Sequence, residues 1–123
     1  MNQTNNDQIN LGRLSRAANG DEAFMRSMLQ LFIDRTPAMI NEMKRACENK
    51  DFEKTVRVAH RLKPSVDMIG NSKMRELIMD IHAITKDRLN CEKSPELIKK
   101  FDAQFELIFD LITQKLKSKN LIS

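Results

Sequence analysis

The sequence has no tryptophan and no tyrosine, and only three glycines, three prolines and two cysteines among 123 residues. Strands favour aromatic residues and need turn residues between them, so this supply argues against a turn-rich β fold. Cys47 and Cys91 form no CxxC pair. That speaks against a disulfide framework or a zinc site and leaves both as free thiols. No apolar run approaches the roughly 20 residues of a membrane span. The first residues are polar and carry no charge before Asp7. Lacking a basic stretch and an apolar one, they do not read as a signal peptide. A cytoplasmic protein without membrane attachment is expected. The net charge of +4 is mild, and the Arg and Lys are spread along the chain. Nucleic-acid binding, which prefers clustered basic residues with aromatics for stacking, is not expected. A mild positive field suits an acidic protein partner instead. No Gly-rich phosphate loop is present, so neither a nucleotide site nor phosphorylation from ATP is expected.

What the chain does hold is helix formers. It has eight Met, with many Leu, Ile, Lys and Glu. Its length suits one domain with a single core. Residues 1–8, rich in Asn and Gln, read as a flexible tail. Ile9, Leu11, Leu14 and Ala18 suggest a short helix weakened by Gly12 and closed by Asn19–Gly20. Asp21 is a good N-cap. After it Phe24, Met25, Met28, Leu31, Phe32, Met39, Ile40, Met43 and Cys47 recur at helical spacing. Thr36–Pro37 either kinks one long helix or starts a second one. Asp51 caps the next helix, which Gly70–Asn71 stops, and Ser72 is read as the cap of a fourth. Met74, Leu77, Ile78, Ile81 and Ile84 or Thr85 line that helix, which fades near Leu89. Asn90 to Lys93 reads as a polar loop. Ser94–Pro95–Glu96 starts the last helix, lined by Leu97, Phe101, Phe105, Ile108, Ile112 and Leu116.

Long amphipathic helices with short connections predict an all-α protein, an antiparallel up-down four-helix bundle with a short extra N-terminal helix across one end. The bundle is expected over residues 9–118, with a C-terminal tail over 119–123. One bundle absorbs the apolar supply, so a monomer is expected. The initial Met and short tail suggest a free-standing protein.

The third helix carries the chemistry. At roughly 100° per residue, Phe52, Val56, Ala59, Leu62, Val66 and Ile69 share one apolar stripe. His60 falls off its centre, on a flank open to solvent. Lys63 and Pro64 follow one turn on. An imidazole at the edge of a packed face, with a cation a turn away, suits a nucleophile that carries phosphate. Phosphoryl transfer asks for a nucleophile, positioning and charge neutralisation. Lys63 is placed to pair with the arriving phosphate. Arg57 and Arg61 add positive potential and otherwise read as solvated surface, while Glu53 and Asp67 oppose it in part. Met68 projects from the stripe and is a candidate for partner docking. His60 lies ten residues before Gly70 and His82 ten after Ser72. Both are therefore about 15 Å from one hairpin turn, at similar height. His82 is either the group that orients the His60 ring or an ordinary boundary histidine. Two histidines without an obvious carboxylate or thiol as a third ligand on the same faces argue against a metal-dependent enzyme.

Ala59, His60, Leu62, Lys63, Ser65, Ile69 and Gly70 resemble the signature of histidine-containing phosphotransfer (HPt) domains. Pro64 departs from it, standing where that family usually has Gly. The similarity in helix order and length extends over about residues 10–117. It implies a phosphocarrier and not an enzyme in its own right. His60 would take a phosphoryl group from the aspartate of one response-regulator receiver domain and pass it to another, in a two-component relay fed by a hybrid histidine kinase. The protein would need no cofactor, since the receivers supply Mg²⁺. The resemblance places His82 where the family commonly has a Gln bonded to the imidazole. Ser65 matches the family's Ser, and its hydroxyl is expected to bond back into its own helix. Gly70 is a helix stop. Pro64 either tips the imidazole outward by bending the helix or obstructs the partner. The alternative function is a helical adaptor that binds receivers or other signalling proteins without chemistry.

Overall fold

The computed structural model describes residues 8–121. It contains five α-helices: α1 (Gly12–Ala17), α2 (Glu22–Glu48), α3 (Phe52–Ile69), α4 (Ser72–Asp87) and α5 (Ser94–Lys117). Helices α2 to α5 pack each against the next, and α5 closes the ring against α2. With three short connections this is the antiparallel up-down bundle. The tail expected over 1–8 lies, up to Asp7, outside the described residues.

The core is one apolar cluster drawn from all four long helices, with Met25, Leu29, Phe101, Leu62, Ile78 and Ile108 fully enclosed. Phe32 and Phe105 meet with ring centroids 5.7 Å apart and tie α2 to α5. The sequence pattern misplaced part of the α2 stripe. Phe24 and Leu31 stand 46% and 40% exposed, while Leu29, Ile33 and Thr36 are buried. The buried set 25, 29, 32, 36, 40, 43 and 47 forms one line along the helix, and Phe24 and Leu31 fall on the neighbouring line that turns outward. On α3, likewise, Val58 is fully buried and Val56 only half-buried. Val56 shares the open margin that carries His60.

Helix ends follow side-chain capping, with two corrections. The Asp21 and Asp51 carboxylates accept the amides of Phe24 and Lys54 at 3.2 and 3.1 Å. Asn71, and not Ser72, caps α4, its Oδ1 accepting the Met74 amide at 2.9 Å. Gly70 in the left-handed region, φ 71°, swings the chain so that Asn71 is the residue left extended. Ser94 does not cap α5 either. The loop expected over Asn90 to Lys93 contains a 3₁₀ turn, Cys91–Lys93, that runs straight into the helix. Ser94 is already helical and buried, with no hydrogen bond to its hydroxyl among the described residues. Pro37 lies inside one continuous α2. It starts no new helix, so Ile33 forgoes the usual amide partner for its carbonyl.

Both ends of the described chain are pinned to the bundle. The Asn10 amide donates to the Ile69 carbonyl at 2.9 Å, and Asn71 Nδ2 donates to the Gln8 carbonyl at 2.7 Å. This strap and α1 cross the end of the bundle at the α3–α4 turn. At the end of α5 and just past it, Arg26 donates to the carbonyls of Leu116 and Ser118, and Leu121 is buried with its amide on Glu22. The stretch 118–121 is thus held against the bundle. No helix among the described residues is long and apolar enough to cross a membrane.

Candidate functional site

Helix α3 buries Val58, Ala59, Leu62, Val66 and Ile69, which fixes its rotation. His60 is thereby left on the exposed side. Helix α4 buries Met74, Leu77, Ile78, Ile81 and Thr85. That rotation sets His82 half-buried on the margin facing α3. The hairpin register brings the two imidazoles together, with centroids 5.8 Å apart and planes inclined at 36°. No hydrogen bond joins the rings among the described residues.

The electrostatics converge on His82. Burial lowers its proton affinity first, then the charge of Lys63, then His60 and Lys86, with Asp87 acting in the opposite sense. Its ring is therefore neutral near pH 7, with one donor and one acceptor nitrogen. Lys63 is half-buried in the same hairpin, within electrostatic reach of His82.

The other residues singled out in the sequence divide between site and surroundings. Arg61 turns toward α2, where its guanidinium pairs with Glu42 at 3.2 Å. Arg57 is exposed and makes no ion pair among the described residues. Asp67 is engaged by Arg75 at 3.1 Å, so its opposition to the positive site is weakened. Ser65 is half-buried, and its hydroxyl makes no back-bond to its own helix among the described residues. Pro64 is exposed, and α3 continues unbroken through it. Met68 is not a free-standing apolar group: it is half-buried and packs against the core. Gly70 ends α3 as expected and also admits the strap. A Cβ there would come within 2.4 Å of the Asn10 carbonyl oxygen.

Two residues near the imidazoles escaped the sequence pattern. Met79, 45% exposed, precedes His82 by three positions on α4, and Lys86 follows it by four. The register that pairs Asp67 with Arg75 and His60 with His82 puts Met79 at the height of Lys63 and Lys86 at the height of Val56. Their i−3 and i+4 spacing from His82 was the available signal. The site itself is an open helical face. A concavity of 1030 Å³ lies instead at the strap end, lined by Asn10, Arg16, Gly70 and Leu121 among others.

Comparison with known proteins agrees with this architecture. A family model described as Hpt domain matches residues 27–113. Among solved structures, the HPT domain of the Hpt sensor hybrid histidine kinase from Shewanella superposes with a TM-score of 0.76 at 17% identity, covering 91% of this chain and 95% of that one. No functionally curated protein matches in sequence.

Proposed function

The chain belongs to the Hpt domain family, and from that premise we propose that it is a phosphorelay carrier whose phosphate acceptor is His60. Family membership supports a phosphotransfer role in two-component signalling. The observation that carries the assignment to His60 is its exposed ring, in contact with a neutral His82 and one turn from Lys63.

In the proposed step a ring nitrogen lone pair of His60 attacks the phosphorus of an aspartyl phosphate on a receiver domain. The P–N bond forms as the P–O bond to the receiver carboxylate breaks, and the carboxylate leaves with the electron pair. The Lys63 ammonium pairs with the transferring oxygens. The acceptor nitrogen of His82 takes a hydrogen bond from the remaining N–H of His60 and holds the ring for attack. Transfer to a second receiver is the reverse reaction. Mg²⁺ belongs to the receiver, and the hybrid histidine kinase supplies the first phosphoryl group. A monomer in the cytoplasm, with no resident cofactor and no nucleic-acid partner, completes the proposal. An open helical face suits a partner that brings the reacting carboxylate on its own surface.

The test is incubation with a phosphorylated receiver domain. Acid-labile phosphate on the wild type and none on His60→Gln is the expected result. Binding without transfer would replace this reading with that of a helical adaptor.

A further inference from the structure

We propose that His60 and His82 together bind a divalent ion that favours imidazole ligands, such as Zn²⁺, between α3 and α4. The ion then competes with the phosphoryl group for His60. The competition rests on the reading of His60 as phosphate acceptor; the binding does not.

Zinc takes imidazole nitrogen at about 2.0–2.1 Å, which puts each ring centre about 3.2 Å from the metal and two centres about 5.2 Å apart at the tetrahedral angle. The centroids of His60 and His82 stand 5.8 Å apart. The remaining difference of about half an ångström is within ordinary side-chain rotation, and His60 is exposed and free to rotate. The two rings come from different helices whose packed cores fix the distance between the helices, so only side-chain rotation is needed to close the pair.

The chemistry agrees. Imidazole binds metal through the lone pair of a neutral ring, and the two rings here come from facing helices close to the spacing one ion requires. Imidazole selects zinc, nickel and copper over magnesium, which prefers oxygen. The Mg²⁺ of a receiver would therefore not occupy this pair. Among the described residues no group of three or more His, Cys, Asp or Glu gathers around one point, so water completes the coordination shell. Two protein ligands near the cationic Lys63 and Lys86 make a weaker site than the closed sites of structural zinc. Such a site fills and empties reversibly. A neutral imidazole has a single ring lone pair. Committed to the metal on the side facing His82, it leaves the outward nitrogen protonated and unable to attack phosphorus. Once the outward nitrogen is phosphorylated, the inward one must lose its proton before it can ligate. Each ligand must therefore weaken the other.

Zn²⁺ is titrated calorimetrically into the full unphosphorylated chain, with circular dichroism of each variant to confirm folding. One ion per chain is expected, with affinity reduced at least about tenfold in His60→Gln and in His82→Gln and no heat from Mg²⁺. A wild type that binds no zinc, or folded variants that bind like the wild type, overturns the proposal. Carbethoxylation of His60 by diethyl pyrocarbonate, followed by peptide mass spectrometry, should slow in the presence of zinc; an unchanged rate overturns it as well. Neither readout involves phosphoryl transfer, so their failure leaves the relay reading standing. Intact zinc binding with no transfer from a receiver would remove the relay reading alone. Equal phosphoryl uptake with and without bound zinc overturns the competition.

Discussion

Gly70 lies directly beneath the backbone of Asn10, so close that a Cβ would sit 2.4 Å from the Asn10 carbonyl oxygen. Gly70 also has φ +71°, a conformation that costs an L-residue about 1–2 kcal/mol. Gly70→Ala should therefore lose about 2–4 kcal/mol, through strain plus displacement of the strap. Gly20 is the internal control: its φ is +75°, yet a Cβ there would meet nothing within 4 Å. Gly20→Ala should cost only the strain, about 1–2 kcal/mol. Urea denaturation of both variants checks the difference.

Asn71 holds three segments at one point. It caps α4, accepts from Gln104 of α5 at 3.2 Å and donates to the Gln8 carbonyl at 2.7 Å. Asn71→Ala should destabilise by about 2–3 kcal/mol, combining a lost cap with buried polar groups left unpaired. Asn71→Ser keeps a capping oxygen and should recover about half. Thermal unfolding of the two variants tests the order.

The proton affinity of His82 is lowered in the folded state, chiefly by burial and then by Lys63. The unfolded chain thus binds the proton more tightly. Stability from keeping this ring neutral is present in full above its ordinary value of 6.5 and is lost as pH falls through the window below that value. The stability of wild type relative to His82→Gln should decline as pH drops from 7 to about 5. Lys63→Gln should raise the proton affinity of His82. NMR titration of the His82 ring measures both, and an unmoved ring titration in Lys63→Gln contradicts the electrostatic account.

Pro64 sits on the exposed side of an unbroken α3, so its main effect on function should be bulk at the docking face. Pro64→Gly should accelerate transfer from a phosphorylated receiver; a slower variant would instead favour the idea that the proline tips the His60 ring. Pro64→Ala should stabilise the fold by about 2 kcal/mol, since proline costs about 3 kcal/mol in a helix interior and alanine restores the missing amide. Stopped-flow transfer and urea denaturation report on the two effects separately.

Lys63 and Arg61 are both basic residues near His60, but they face different helices. Arg61 is spent on Glu42, whereas Lys63 acts on His82, the ring beside His60. Lys63→Gln should slow phosphoryl uptake about tenfold, the loss of roughly one charge-assisted contact. Arg61→Ala should change the rate less than about twofold and stability by less than about 1 kcal/mol, as for an exposed ion pair. Equal effects would show that both act only through general positive potential.

Much of the site was legible because helical periodicity is local. The stripe through Ala59, Leu62, Val66 and Ile69 fixes which side of α3 is wet, and that alone exposes His60. Counting residues on either side of the Gly70 turn was enough to set His82 level with it, because an antiparallel hairpin offers one register. The caps Asp21 and Asp51 were equally plain, since each satisfies amides only three residues away. Phe24, Leu31 and Met68 were misjudged because a marginal position on a helix is decided by what the next helix leaves uncovered.

The chain's own pattern determined that it is helical, that four long helices bundle, and that one histidine faces water beside a lysine. Those properties follow from spacing within single helices. The bundle as a whole decided that Arg61 goes to Glu42, that Met68 packs inward, that Asn71 rather than Ser72 begins α4, and that both ends of the described chain fold back. Each depends on atoms far away in sequence, whose positions exist only once the helices have packed.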